Sequence, residues 1–92
     1  MPIQVRHISY VIAAADHGSF RRAAAALGVQ ESAISRRIRE LEDRLGTTFF
    51  IRSSGGVKLT HAGKQFVLRG RKALSEIGMA KAEVAAIGRG ED

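Results

Sequence analysis

The chain of 92 residues contains no cysteine, no tryptophan and only one proline, and aromatic residues make up 5% of it. The lack of cysteine excludes disulfide bonds, cysteine zinc sites and thiol catalysis. No apolar run approaches the roughly 20 residues that a membrane-spanning helix needs, and the N-terminal apolar stretch is too short for a signal peptide. We therefore expect one small cytoplasmic domain without a membrane partner, mostly helical because apolar residues recur at helical spacing.

The chain is basic, because its 15 lysine and arginine residues outnumber its 9 acidic residues and give a net charge of +6. Such a balance favours a polyanionic partner, nucleic acid before an anionic membrane surface. The three histidines are scattered and form no metal-ligand pattern, and no nucleophile–base pair indicates catalysis. We therefore predict a protein that is not an enzyme and needs no metal or cofactor.

Apolar spacing and capping residues predict a helix-turn-helix in the first half of the chain. Ser19 is a good N-cap for a short helix that runs to about Leu27, and Gly28 permits a tight turn after it. A longer helix then runs from about Glu31 to Gly46. Its apolar residues follow helical spacing and predict a buried stripe of Ile34, Ile38, Leu41 and Leu45. The opposite face carries serine and arginine, as expected of a helix presented to the major groove.

The second half of the chain predicts a hairpin and a long helix. Two β-prone segments around a glycine-rich turn place a hairpin at about 49–59. Thr60 can cap a helix over 61–88, followed by a frayed tail at 89–92. At roughly 40 Å, this helix has too little of its own chain to pack on, so a homodimer seam is favoured over an intrachain core. The residues of the predicted seam follow a seven-residue spacing: Phe66, Gly70, Ala73, Ile77, Ala80, Val84 and Ile87.

Five sequence motifs occur in order, within a match that covers about residues 3–88: RHISYVIAAADHGSF, AAAALGV, SAISRRIRELEDRLG, FFIR and LTHAG. Together they resemble the DNA-binding domain of LysR-type transcriptional regulators. The resemblance implies a mainly α winged helix-turn-helix domain over 1–60, with the helix-turn-helix motif at about 20–39, and a linker helix over 61–88 that pairs two chains. In the family a C-terminal effector domain, the expected site of a small-molecule inducer, follows the linker helix, and we expect none of it within these 92 residues. RNA polymerase is an implied partner of a full-length regulator only.

The resemblance and the residue types together predict a surface that binds double-stranded DNA. The third helix would enter the major groove, and the wing would reach the backbone or the minor groove. The predicted contact residues are Ser19, Arg21, Arg22, Gln30, Glu31, Ser32, Ser35, Arg36, Arg39, Arg52 and Lys58. Each could instead belong to an ordinary solvated surface, and Ser19 is useful as a cap in either case. Arg37 is expected to pair with Glu40, and Glu42 to brace the fold.

Two positions depart from the family pattern at the start of the third helix. Glu31 stands where the family usually has a glutamine. A carboxylate only accepts hydrogen bonds, so it could accept one from cytosine N4 but would repel phosphate. Gln30 stands in place of a serine and is a weaker N-cap, so we expect this helix start to be less firmly fixed.

A function of a different class is a basic helical dimerisation or protein-interaction module without specific DNA binding. That alternative predicts only weak, salt-sensitive attraction to duplex DNA. It also predicts that replacing Arg36 by alanine leaves function intact.

Overall fold

The computed structural model describes residues 2–90, in which four helices and one hairpin follow each other along the chain. Their bounds are α1 Val5–His17, α2 Phe20–Leu27, α3 Glu31–Leu45, β1 Phe50–Ser53, β2 Gly56–Leu59 and α4 His61–Gly88. The two strands pair antiparallel, with Phe50 opposite Leu59 and Ser53 opposite Gly56. The predicted winged helix-turn-helix fold is confirmed. Residues 91 and 92 of the predicted tail lie outside the described part of the chain.

The helix-turn-helix forms where the local signals place it. The Ser19 hydroxyl oxygen accepts a hydrogen bond from the Arg22 backbone N–H at 3.2 Å, which caps α2. Gly28 has a φ of 69° and ends α2 in the left-handed conformation that glycine adopts without strain. Gln30 is the N-cap of α3 and makes no side-chain capping hydrogen bond, as its residue type predicts.

The core lies where α1, α2 and α3 meet the hairpin and the first part of α4. Ile34, Ile38 and Leu41 of the predicted stripe are fully buried and fix the rotation of α3. Leu45, the fourth residue of the predicted stripe, is instead 45% exposed, and Leu27 of α2 is 42% exposed. Each is the last residue of its helix, so the neighbouring elements do not cover it.

A buried histidine completes the start of α1. The His7 side chain is inaccessible to solvent, and its Nδ1 accepts a hydrogen bond from the Gln4 backbone N–H at 3.0 Å. Its Nε2 lies 3.8 Å from Oε1 of Glu40, which also pairs with Arg37 at 3.4 Å, as predicted. His7 therefore caps α1 and links it to α3.

Glu42 and Thr60 anchor the segment between α3 and the wing. Oε2 of Glu42 accepts a hydrogen bond from the Phe49 backbone N–H at 2.7 Å, which confirms its predicted bracing role. The Thr60 hydroxyl donates to the Thr48 carbonyl oxygen at 2.6 Å and also caps α4 by accepting from the Gly63 N–H at 3.0 Å. The end of α3, the wing and the start of α4 are thereby joined.

The first half of α4 packs on its own chain, and this corrects part of the predicted seam. Gly70 is buried, and a Cβ there would lie 2.9 Å from Cγ2 of Ile8. The ring of Phe66 packs on Phe49 with centroids 4.8 Å apart. Phe66 and Gly70 therefore belong to the intrachain core, because α1 and the segment before the wing already cover this part of α4.

The second half of α4 extends beyond the rest of the domain, and with this helix included the longest dimension of the molecule is 52 Å. Ala73 and Ile77 are half-buried and Ala80 is exposed, while Val84 and Ile87 are 68% and 60% exposed. An aspartate–arginine pair ties α4 to α1, since the guanidinium of Arg71 contacts the carboxylate of Asp16. No helix among residues 2–90 is long and apolar enough to cross a membrane.

Candidate nucleic-acid interface

The outer face of α3 carries serine and arginine side chains opposite the buried stripe. Ser32, Arg36 and Arg39 are exposed, and Ser35 is half-buried. Because residues three and four apart share a helix face, Ser32, Arg36 and Arg39 form one row along α3. This row presents one hydroxyl group and two positive charges to solvent.

The start of α2 adds further positive charge beside α3. Arg21 and Arg22 are exposed in the first turn of α2. Ser19 precedes them, and its hydroxyl oxygen is occupied by the capping hydrogen bond from Arg22. The backbone N–H groups at a helix start and nearby basic side chains suit an anion such as phosphate.

Arg52 of the wing turns toward α2. Its guanidinium carbon lies 4.5 Å from the centroid of the Phe20 ring, a cation–π contact. Phe50, two residues earlier on the same face of β1, meets the same ring edge-on with centroids 5.3 Å apart. Phe20 is also a buried core residue, and the sequence analysis did not predict its contact with Arg52. The alternation that places Phe50 and Arg52 on one face of β1 was the available signal.

Lys58 lies on the other face of the wing. It is exposed and pairs across the hairpin with Ile51, whereas Arg52 pairs with Val57. Since successive side chains of a strand point to opposite faces, Lys58 and Arg52 point to opposite sides of the hairpin. The structure therefore does not bring together these two predicted wing cations.

The start of α2, the start of α3 and the wing surround one open cleft of about 190 Å³. Four predicted contact residues line it: Ser19, Arg21, Glu31 and Arg52. A backbone hydrogen bond holds the wing in place at this cleft, because the Val57 N–H donates to the Gly18 carbonyl oxygen at 3.0 Å. The other predicted contact residues lie outside the cleft. Ser32, Ser35, Arg36 and Arg39 lie along α3 and Gln30 is its N-cap, while Arg22 lies in the first turn of α2 and Lys58 on the opposite face of the wing from Arg52.

Within the part of the chain that the structure describes, no ion pair neutralises the charge at this surface. Ion pairs there join Arg37 to Glu40 and Arg71 to Asp16, and Glu40 also lies 3.8 Å from the His7 ring. None of them involves a predicted contact residue. The hydrogen bond to Asp16 and the charge of its carboxylate raise the pKa of Arg71. Within the same described residues, no three histidine or acidic side chains are grouped so as to hold a metal ion.

Residues 5–64 match the model of the bacterial regulatory helix-turn-helix proteins of the LysR family. The chain belongs to the LysR family. It has the helix-turn-helix DNA-binding fold of this family, and the resemblance carried by its sequence motifs is confirmed.

Individual relatives agree with this assignment. The LysR-type chain is 43% identical over 84 residues to the HTH-type transcriptional regulator XapR of Escherichia coli (strain K12), covering 91% of this chain and 29% of XapR. It is 37% identical over 91 residues to the uncharacterized HTH-type transcriptional regulator YnfL of the same strain, covering 99% of this chain and 31% of YnfL. The chain thus spans about three tenths of the length of these relatives.

A solved structure shares the whole arrangement of helices and wing. The crystal structure of the DNA-binding domain of BenM with catB site 1 DNA superposes with a TM-score of 0.90 at 31% sequence identity. The match covers 94% of this LysR-type chain and 96% of that one. The linker helix is therefore included in the similarity.

Proposed function

We propose that this LysR-type domain binds double-stranded DNA sequence-specifically as part of a bacterial transcriptional regulator. The observation that carries the proposal is the cleft at which the start of α2, the start of α3 and the wing meet, beside cations with no acidic partner in the described chain. The solved BenM domain of the same fold is a DNA complex, which supports the same partner here. We assign no cofactor to this domain. Inducer binding and contact with RNA polymerase would belong to a longer regulator.

Two kinds of contact are assigned to this surface. Arg21, Arg22 and Arg52 would bind phosphate or the minor groove and set the register on the duplex. Glu31, Ser32, Ser35 and Arg36 would read base edges in the major groove, because the N-terminal part of a recognition helix approaches the bases. Arg39, about one turn further along α3, would contact the phosphate backbone. Lys58, on the outer face of the wing, would contribute at most a peripheral phosphate contact.

Pairing of two chains through α4 is the second part of the proposal. The seam would comprise the residues that the chain leaves exposed or half-covered: Ala73, Ile77, Ala80, Val84 and Ile87. The end of α4 has little of its own protein to pack on, and Gly78 and Gly88 weaken it as an isolated helix. A homodimer would place two α3 helices in major grooves one helical turn or more apart.

Selection of bound duplexes from a random-sequence library, at about physiological salt, tests both parts, since salt weakens pure phosphate attraction. Enrichment of an inverted repeat is the expected result. A single enriched half-site would retain sequence reading and contradict pairing. If the folded protein enriches no motif, specific binding is wrong, and the dimerisation or protein-interaction module is the better description.

Replacing Arg36 by alanine tests the role of α3. If Arg36 contacts a base, the change should weaken binding to the selected duplex by about 1–3 kcal/mol. It should also relax the preference for one base at one position of the DNA site. Arg44→Ala is the matched control, because Arg44 is an exposed cation in the last turn of the same helix. Fluorescence anisotropy at fixed salt gives both affinities, and equal losses in the two variants would contradict base reading by Arg36.

A further inference from the structure

Glu31 is an acidic residue within an otherwise basic surface. It is the first residue of α3, it is exposed, and it lines the cleft together with Arg21 and Arg52. No ion pair within 4.0 Å joins Glu31 to either arginine in the described chain. The guanidinium of Arg52 lies instead over the ring of Phe20. Glu31 therefore presents an unneutralised carboxylate on the side of α3 that faces the wing.

In the free protein the start of α3 favours this charge, since the dipole of a helix is positive at its N-terminus. The setting differs on a duplex, where phosphates surround the base edges and repel a carboxylate. A carboxylate that stays at this position without a donor weakens binding. It contributes to binding only at a base edge that offers a hydrogen-bond donor.

The four bases differ in what they offer in the major groove. Guanine presents the acceptors N7 and O6, and thymine presents the acceptor O4 beside a methyl group. Adenine presents a donor at N6 but has the acceptor N7 next to it. Cytosine presents the N4 amino donor without an adjacent acceptor. A carboxylate, which only accepts hydrogen bonds, is therefore satisfied best by cytosine.

We propose that Glu31 makes this domain select cytosine at one position of each half-site by accepting a hydrogen bond from the N4 amino group. The inference rests on the proposed function, which it deepens by naming a base. The fully buried Ile34 fixes the rotation of α3 one turn after Glu31. Residues at the start of a recognition helix are those that reach base edges.

Parallel library selections with the wild-type domain and the Glu31→Gln variant test this inference. An amide both donates and accepts, so glutamine can bond adenine at N6 and N7 together. We expect cytosine at one position of the wild-type half-site to change to adenine in the variant, with the remaining positions unchanged. Asp43→Asn is the control, because it removes the same charge from an exposed position about 18 Å further along α3. It should leave every position as in the wild type.

A second measurement uses only the wild-type domain. Each other base in turn replaces the selected cytosine in the enriched duplex, and the dissociation constant is measured at fixed salt. We expect an increase of about tenfold or more, the size of effect known for a specific base contact. If the dissociation constant of Glu31→Gln does not increase when the cytosine is replaced, the preference for cytosine depends on the Glu31 carboxylate.

The outcomes separate this inference from the proposed function. If no protein enriches a motif, the proposed function is wrong. If the wild type enriches a motif and Glu31→Gln enriches the same one at every position, the role of Glu31 is wrong and sequence-specific binding stands. A wild-type motif without a cytosine that affects affinity also overturns the role of Glu31. Selection of adenine by the wild type would do the same, because it would show that N7 does not repel the carboxylate.

Discussion

Replacing Gly56 by alanine should loosen the wing from the rest of the domain. Gly56 has a φ of 123°, in a region that residues with a side chain rarely adopt. An alanine Cβ at this position would lie 2.2 Å from the Gly18 carbonyl oxygen. That oxygen also accepts the hydrogen bond from the Val57 N–H that holds the wing beside α2. The chain must therefore move in order to accept alanine.

The magnitude follows from three contributions. An unfavourable backbone conformation costs about 1–3 kcal/mol, and loss of the Val57–Gly18 hydrogen bond costs about 0.5–1.5 kcal/mol. Alanine also restricts the unfolded chain, which offsets about 0.4–1 kcal/mol. We expect the free energy of unfolding to fall by about 1–3 kcal/mol, a large share of the roughly 5–15 kcal/mol that stabilises a small domain. Affinity for the selected duplex should fall as well, because the wing carries Arg52.

Urea unfolding followed by far-UV circular dichroism measures this change, with Gly55→Ala as the control. Gly55 is the neighbouring residue in the same turn, its φ is not in the left-handed region, and an added Cβ would come no closer than 4.0 Å to Ser53 Oγ. Gly55→Ala should stay within about 0.5 kcal/mol of the wild type. Equal unfolding midpoints for the two variants would refute the steric reasoning.

Three further predictions concern single residues of α3 and α4. Glu42→Ala should lower the free energy of unfolding by about 1.5–3 kcal/mol, because the Phe49 N–H loses its charged acceptor; an unchanged urea midpoint would contradict this. Gly78→Ala should stabilise α4 by about 0.5–1 kcal/mol, since no atom lies within 4 Å of an added Cβ. Gly63→Ala should destabilise the domain, because its Cβ would lie 2.3 Å from the Phe49 carbonyl oxygen. The midpoint of thermal unfolding should rise in Gly78→Ala and fall in Gly63→Ala. A shift in the same direction in both variants would show that the space around the added Cβ does not decide the effect.

Local signals predicted the elements of the fold well. Ser19 caps α2, Gly28 ends it, and α3 begins at Glu31, because capping and turn formation depend on residues within a few positions of each other. The spacing of Ile34 and its neighbours predicted which side of α3 is buried. The start of α3 and its exposed row were therefore predictable before any tertiary contact was known.

Contacts between distant segments were not predictable in this way. The seven-residue spacing treated Gly70 like the other positions of α4, but Ile8 of α1 covers it. The same spacing holds at Val84, which nothing in the described chain covers. A helical repeat shows which residues share a face, but it does not show which of them another part of the chain reaches.

By itself, the sequence determined the order and approximate bounds of α2, α3 and α4, the family of the chain and the exposed serine and arginine row of α3, because these depend on local caps, periodicity and motif spacing. Only the tertiary structure decided that Arg52 turns onto Phe20 while Lys58 faces away, and that His7 is buried against α3. It also decided that the Glu31 carboxylate lies in the cleft without an ion-pair partner among residues 2–90. These features depend on how the helices and the wing pack against one another, and residues far apart in the chain set that packing.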